Sequence, residues 1–156
     1  MHRRRVALEP SDVELVLPLL VRAQLVLAAA PLAAGQDVFV VGYPDALTTG
    51  PMFPLWIRGS IASEPYFGFT VSDEHLPLML VDARTRQGQS GSAVMRHRPE
   101  GSLVTRVDGQ LGVTQSPMSQ IIGVYSGRTS DESDLGFVWR MDEVEVICRK
   151  GVQGTV

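Results

Sequence analysis

The sequence has little of the residue types on which functional sites are most often built. It contains one cysteine, so no intrachain disulfide can form, and the apolar neighbours of Cys148 predict a core position for this thiol. The three histidines, His2, His75 and His97, lack the close His/Cys spacing of tetrahedral metal sites. Neither a metal nor another cofactor is therefore predicted.

Charge of one sign and long apolar runs are also scarce. The net charge is -3 and the only basic run is Arg3–Arg5, which gives no field for a phosphate backbone, so nucleic acid is not an expected partner. The apolar run Leu15–Leu32 is interrupted by Pro18 and Arg22, so we do not expect it to cross a membrane. The run could be taken for a signal peptide, but the acidic residues between it and the arginines weaken that interpretation.

What is present is the composition of one folded domain. The 156 residues are 44% hydrophobic and 20% charged, which is globular and long enough to bury a core. From residue 37 onward, short apolar segments alternate with turn residues, which predicts an all-β barrel or sandwich. The predicted strands are Asp37–Tyr43, Leu55–Ser63, Leu78–Asp82, Ser92–Met95, Ile121–Ser126 and Gly136–Trp139.

Three further segments differ from this strand pattern. Apolar residues at three- and four-residue spacing predict a helix over Met141–Lys150, which Gly151 ends. The polar, glycine-containing stretch between Arg96 and Gln120 predicts a hairpin and loop excursion. The segment Leu15–Leu32 remains open between one helix and two short buried strands.

The segment most informative about chemistry is a turn between two predicted strands. Ser90 lies in Gly88–Ser92 (GQSGS), with Gly88 before it and Gly91 after it. A hydroxyl that attacks a carbonyl needs hydrogen-bond donors directed at the oxyanion that develops. Glycine reaches backbone angles closed to other residues, so a glycine-rich turn lets successive N–H groups converge on one point. Alone, this pattern also occurs in ordinary turns.

The flanks of this turn make the pattern specific. Gly88–Ser92, preceded by Val81–Ala83 (VDA), resembles the Gly-x-Ser-Gly signature of the trypsin/chymotrypsin-like serine proteases, in particular their bacterial, disulfide-free branch. The resemblance extends over about residues 12–150 through segments that match, in order, strands of the second barrel, the strand that walls the specificity pocket, and the terminal helix. These segments are Gly35–Pro44, Ile57–Ser63, Ile121–Arg128 and Met141–Lys150.

The resemblance implies a fold and a domain division. It implies a trypsin-like Greek-key β-barrel in which the second barrel is complete and the first is mostly missing, with a short C-terminal helix. Residues 1–34 are then a remnant of the first barrel and the connection between barrels, and residues 35–150 are the second barrel with its helix. A missing N-terminal barrel is an expected partner.

The resemblance also implies roles for individual residues. Ser90 is the nucleophile, and the N–H groups of Gly88 and Ser90 form the oxyanion hole. The strand that carries Ser126, Gly127 and Arg128 pairs with a peptide or protein substrate, although Ser126 and Gly127 would also fit a plain strand end. Arg84 matches the base of the specificity pocket, and its positive charge argues against cleavage after lysine or arginine.

The general base is missing from this pattern. Asp12, in Ser11–Leu15 (SDVEL), matches the family's carboxylate and equally fits a turn or helix cap. The family's histidine precedes that aspartate by several tens of residues, where this sequence has no match, and His75 and His97 are interpreted as surface residues.

Two explanations fit a missing base: a truncated serine endopeptidase, which we favour, or a degenerate homologue that no longer cuts. An incomplete or inactive endopeptidase is therefore the expected function. The alternative is a non-catalytic β-domain that binds peptides or partner chains by strand addition. The bacterial cytoplasm or periplasm is the expected location.

Overall fold

A computed structural model of the protein describes residues 31–50, 52–105 and 109–151. Short β-strands dominate this part of the chain, and one α-helix follows the last of them. The strands are β1 (Asp37–Gly42), β2 (Leu55–Ile61), β3 (Phe69–Val71), β4 (Glu74–Leu76), β5 (Leu78–Ala83), β6 (Ala93–Arg98), β7 (Leu103–Thr105), β8 (Leu111–Val113), β9 (Met118–Arg128) and β10 (Leu135–Arg140), and the helix is α1 (Met141–Lys150).

Six of the strands form a closed antiparallel barrel. Their order around the barrel is β1-β2-β5-β10-β9-β6, and the pairing of β1 with β6 closes the ring. In β1, Val38 and Val40 are fully buried, whereas Asp37 is exposed and Phe39 is half-buried, which is the alternation expected of a strand with one face on a core. The predicted all-β barrel with a C-terminal helix is confirmed.

The core is built from the inward positions of all six barrel strands. Each strand contributes one to three apolar side chains, most of them β-branched, which favour extended backbone and pack densely. The buried cluster comprises Val38, Val40, Ile61, Met79, Val81, Ala83, Val94, Ile122, Tyr125 and Val138. Tyr125 is the one member with a polar group, and that hydroxyl therefore needs a partner.

Two small hairpins project from the barrel. The pair β7 and β8 falls within the predicted excursion between Arg96 and Gln120 and confirms it. The pair β3 and β4 was not predicted, because its turn contains no glycine. Ser72 and Asp73 occupy that turn with φ of 50° and 68°, the left-handed conformation that two-residue hairpins require.

The helix α1 has the predicted bounds and packs on β9 and β10. Gly151 ends it in a left-handed conformation and donates its N–H to the last turn. The predicted core position of Cys148 is wrong, because the thiol is exposed. Only residues of the first helical turns, such as Met141 and Val144, are partly buried, so the last turn faces solvent.

Two sequence predictions lie largely outside the described residues. The proposed boundary at residue 34 leaves only 31–34 visible, and the question of a helix or strands over Leu15–Leu32 concerns residues that are mostly undescribed. In the portion described, α1 is too short and polar to cross a bilayer, and no other helix there is long and apolar enough to do so.

Candidate active site

The turn that carries Ser90 connects β5 to β6 and is closed by a side chain. Gln89 is fully buried, and its Oε1 accepts a hydrogen bond from the Arg86 N–H at 2.8 Å. The Gln89 N–H donates in turn to the Arg86 carbonyl at 3.3 Å. Because Gln89 points inward, the adjacent Ser90 is turned outward and is exposed. Gly88 lies between the two bonded residues with φ of 88°.

Backbone hydrogen bonds fix this turn to two neighbouring segments. The Gly91 N–H donates to the Tyr125 carbonyl at 2.7 Å, and the Tyr125 N–H donates to the Ser92 carbonyl at 2.9 Å. On the opposite side, the Asp45 N–H donates to the Gln87 carbonyl at 2.8 Å. The turn is therefore held between β9 and the loop that follows β1.

The backbone donors on either side of Gln89 lack an acceptor among the described residues. In the part of the chain that the structure describes, neither the Gly88 N–H nor the Ser90 N–H makes a hydrogen bond to a protein acceptor. Both belong to the same short turn, on which Ser90 is exposed. Unpaired backbone donors at an exposed turn are available to a ligand oxygen.

The structure brings Ser90 together with the end of β9. A Cβ placed on Gly127 would lie 3.8 Å from Ser90 Oγ, so the hydroxyl faces the backbone of this glycine. Ser126 is the extra residue of a β-bulge, because Gly127 pairs with Phe137 and Tyr125 pairs with Val138. Bulges redirect a strand end, and they are frequent beside functional sites.

The end of β9 also has an unpaired edge. One edge of β9 pairs with β10 as far as Arg128. On the other edge, β9 pairs with β6 as far as Val124, which lies opposite Ala93. The next residue, Tyr125, forms backbone hydrogen bonds with the Ser90 turn. Within the described ranges, no strand pairs with Ser126–Arg128 on that side. Ser90 lies at the point where this unpaired edge begins.

Arg84 is found in a different setting from the Ser126–Arg128 strand end. It is exposed and lines a shallow groove of about 500 Å³ on the outer face of β1, β2 and β5. Trp56 and the ion pair between Arg58 and Asp37, 2.8 Å apart, line the same groove. The hydrogen bond that Arg58 donates to Asp37 raises the pKa of Arg58. The role of Arg84 in substrate selection stays a prediction.

The histidines described are not partners of Ser90. His75 is exposed on β4, 3.3 Å from Thr70 Oγ1. His97 is half-buried on β6, where Nδ1 lies 2.9 Å from Ser119 Oγ and the ring contacts aromatic side chains, so the surface position predicted for it is only partly exposed. Among residues 31–50, 52–105 and 109–151, no histidine bonds to Ser90. Asp12 and His2 lie outside the described residues.

Two buried polar residues beneath the turn were missed as parts of the site. Thr85 is fully buried, and its Oγ1 lies 2.5 Å from the hydroxyl of Tyr125, which is 2% exposed. Gln89 occupies the variable position of the Gly-x-Ser-Gly pattern, and it closes the turn. Their side-chain contacts depend on strand pairing, and no local spacing in the sequence signals them. Among the described residues, no cluster of three metal-ligating side chains occurs.

Comparison with known proteins supports the fold class. No protein-family model matches the chain, and no curated protein does. The crystal structure of the inactive form of the protease Rv3671c has a TM-score of 0.51 at 23% identity, over 81% of this chain and 55% of that one. The fold is that of a trypsin-like barrel.

Two further crystal structures of Rv3671c, from Mycobacterium tuberculosis, are also similar. An inactive serine-to-alanine variant has a TM-score of 0.49 at 22% identity, over 84% of this chain and 55% of that one. The active form has a TM-score of 0.48 at 22% identity, over 84% and 49% of the two chains. The chain thus spans about half the length of the solved structures that it matches.

Proposed function

We propose that the barrel carries the nucleophile half of a serine endopeptidase site. Ser90 is the nucleophile, and the Gly88 and Ser90 N–H groups bind the oxygen of the attacked carbonyl as it becomes negative. The observation that carries the proposal is the unpaired state of both donors beside an exposed serine hydroxyl. One such donor typically accounts for about 3–4 kcal/mol of transition-state stabilisation.

The free edge at Ser126–Arg128 supplies the substrate-binding surface. An extended peptide that adds to this edge would form main-chain hydrogen bonds in the manner of an additional strand. Because a Cβ on Gly127 would lie 3.8 Å from Ser90 Oγ, one carbonyl of such a peptide would come within reach of that oxygen. Glycine at position 127 keeps the approach open.

The base that takes the Ser90 proton must come from outside the described residues. A histidine in a barrel encoded upstream of Met1, oriented by a carboxylate such as Asp12, would complete the site by the logic of the serine–histidine–aspartate triad. The acyl-transfer step then moves the Oγ proton to that histidine and onward to the leaving amine. Water hydrolyses the ester that remains on Ser90.

Labelling with a fluorophosphonate tests this proposal. In the protein extended upstream of Met1, the probe should phosphonylate Ser90 Oγ with release of fluoride, while the base accepts the proton. The chain without that extension should react barely at all. Replacement of Ser90 by alanine should abolish labelling, and Ser92→Ala should retain it, because Ser92 Oγ packs against Gly42 in the barrel. Equal labelling with and without the extension would contradict the proposal.

A second candidate is a barrel that binds peptides and does not cut them. The free edge of β9, together with the absence of a histidine bonded to Ser90 in the described ranges, favours it. Peptide binding that shifts the amide signals of Ser126–Arg128, combined with no labelling in the extended protein, would select this candidate.

A further inference from the structure

Tyr125 is a buried residue that contacts the Ser90 turn through its backbone and the segment leading into it through its hydroxyl. Its backbone bonds to both Gly91 and Ser92, as described above. Its side chain turns into the end of the barrel and is 2% exposed. The hydroxyl reaches Thr85, on the segment that leads into the turn, at 2.5 Å. The space between the turn and the strands behind it therefore contains this ring.

Gly136, at the start of β10, makes room for the ring. A Cβ placed on Gly136 would lie 2.3 Å from Tyr125 Cε2 and 2.6 Å from its hydroxyl oxygen, distances that no real side chain tolerates. The ring consequently lies directly on the backbone of β10. Three segments, at Thr85, Tyr125 and Gly136, meet around one filled volume.

The volume filled by the Tyr125 ring lies where a side chain of a bound peptide would enter. A chain added to the edge at Ser126–Arg128 is extended, so its side chains alternate between the two faces. The residue whose carbonyl reaches Ser90 lies where the turn meets β9. A side chain of that residue that points inward would enter the space between the turn and β10, which Tyr125 fills.

We propose that Tyr125 is a specificity-determining residue, which limits the residue supplying the attacked carbonyl to glycine, alanine or another of similar size. The inference rests on the proposed function and names its substrate class. Displacing the ring to admit a larger side chain would expose a buried aromatic surface and leave Thr85 without its hydrogen-bond partner. The ring is held on both sides, so it acts as a fixed floor.

Binding of short peptides to the full chain tests the proposal without requiring turnover. The probes are acetyl-Ala-Ala-Ala-amide and acetyl-Ala-Ala-Phe-amide, followed through the amide NMR signals of Ser126–Arg128. The native protein should bind the alanine peptide at least roughly tenfold more tightly than the phenylalanine peptide. Tyr125→Ala should reverse this order, since it opens a cavity beside Ser90. Equal affinities in the native protein would overturn the proposal.

A matched variant separates the ring from its hydroxyl. Tyr125→Phe keeps the ring and should keep the preference for alanine, whereas a reversed preference in this variant would contradict the proposal. If Tyr125→Ala does not fold, Tyr125→Val should show the same reversal with a smaller ratio.

Phenol provides a readout that does not depend on peptide binding. An engineered apolar cavity of about 150 Å³ binds a single aromatic ring, so phenol should bind Tyr125→Ala and not the native chain. It should shift the amide signals of Thr85, Ser90 and Gly136. If no peptide shifts the amide signals of Ser126–Arg128 while phenol still binds Tyr125→Ala, the proposed function is contradicted. The conclusion that the Tyr125 ring fills the volume between Thr85 and Gly136 would then still hold. Phenol shifts confined to other residues would overturn that conclusion.

Discussion

At the scale of single residues, Gly88 holds the conformation on which the Ser90 turn depends. Its φ of 88° is open to glycine and strained for other residues. A Cβ at this position would also lie 3.0 Å from the Tyr43 carbonyl oxygen, which is fixed in backbone. Two separate constraints therefore exclude a side chain at this position.

Gly88→Ala should lower the free energy of unfolding more than Gly101→Ala does. Gly101 has a similar φ of 82°, but its added Cβ would meet nothing within 4 Å. Both variants should lose about 1–2 kcal/mol to backbone strain, and Gly88→Ala should lose about 1 kcal/mol more from the contact with Tyr43. Urea unfolding measures the difference. Equal losses would mean that the turn moves freely away from Tyr43.

The residues that belong to the Gly-x-Ser-Gly motif could be predicted from the sequence, and the buried residues that support the turn could not. Ser90 and Gly88 could be predicted because few interpretations of a glycine-flanked serine remain once the neighbouring strands also match a family. The contact between Thr85 and Tyr125 joins residues 40 apart, and no local pattern indicates it. Cys148 was placed wrongly because helical spacing does not reveal which helical turns meet the barrel.

At the scale of elements, β9 determines the shape of the site. The bulge at Ser126 and the end of β6 at Ala93 together leave the edge at Ser126–Arg128 unpaired. The sequence predicted a strand over Ile121–Ser126, which is shorter than the observed Met118–Arg128. Strand extent and bulges depend on pairing with distant segments, so residue spacing identified the strand, and only the family resemblance implied its free edge.

The junction between β10 and α1 is anchored by Arg140. Its side chain is 14% exposed, and Nη2 lies 3.0 Å from Asp142 and 3.4 Å from Glu143. It also lies 5.8 Å from the centre of the Tyr66 ring, in a cation–π arrangement. One side chain thereby links the barrel, the loop before β3 and the first turn of the helix.

Arg140→Met should destabilise the protein more than Arg149→Met. Arg149 pairs with Glu145 at 3.6 Å with its side chain 81% exposed, where an ion pair contributes about 0–0.5 kcal/mol. Loss of the largely buried Arg140 should cost about 1–2 kcal/mol, since carboxylate partners and the Tyr66 contact are lost together. Thermal unfolding followed by circular dichroism compares the two. A larger loss in Arg149→Met would refute the anchoring role.

At the scale of the whole molecule, the described chain is one barrel with the Ser90 turn at one end. The order of six strands places the segments at residues 42–47, 84–92 and 125–128 at that end, although they are far apart in sequence. The fold class followed from strand spacing and resemblance. The position of Arg84 in an outer groove did not, because the direction of a side chain past a strand end is set by the surrounding barrel.

The central claim is that Ser90 supplies the nucleophile of a peptide-cleaving site. The most direct measurement is hydrolysis of a mixed peptide library by the protein extended upstream of Met1, with cleaved products identified by mass spectrometry. We predict cleavage that Ser90→Ala lowers by roughly 10³-fold or more and that Ser92→Ala leaves within about threefold. Cleavage that persists unchanged in Ser90→Ala would contradict the account.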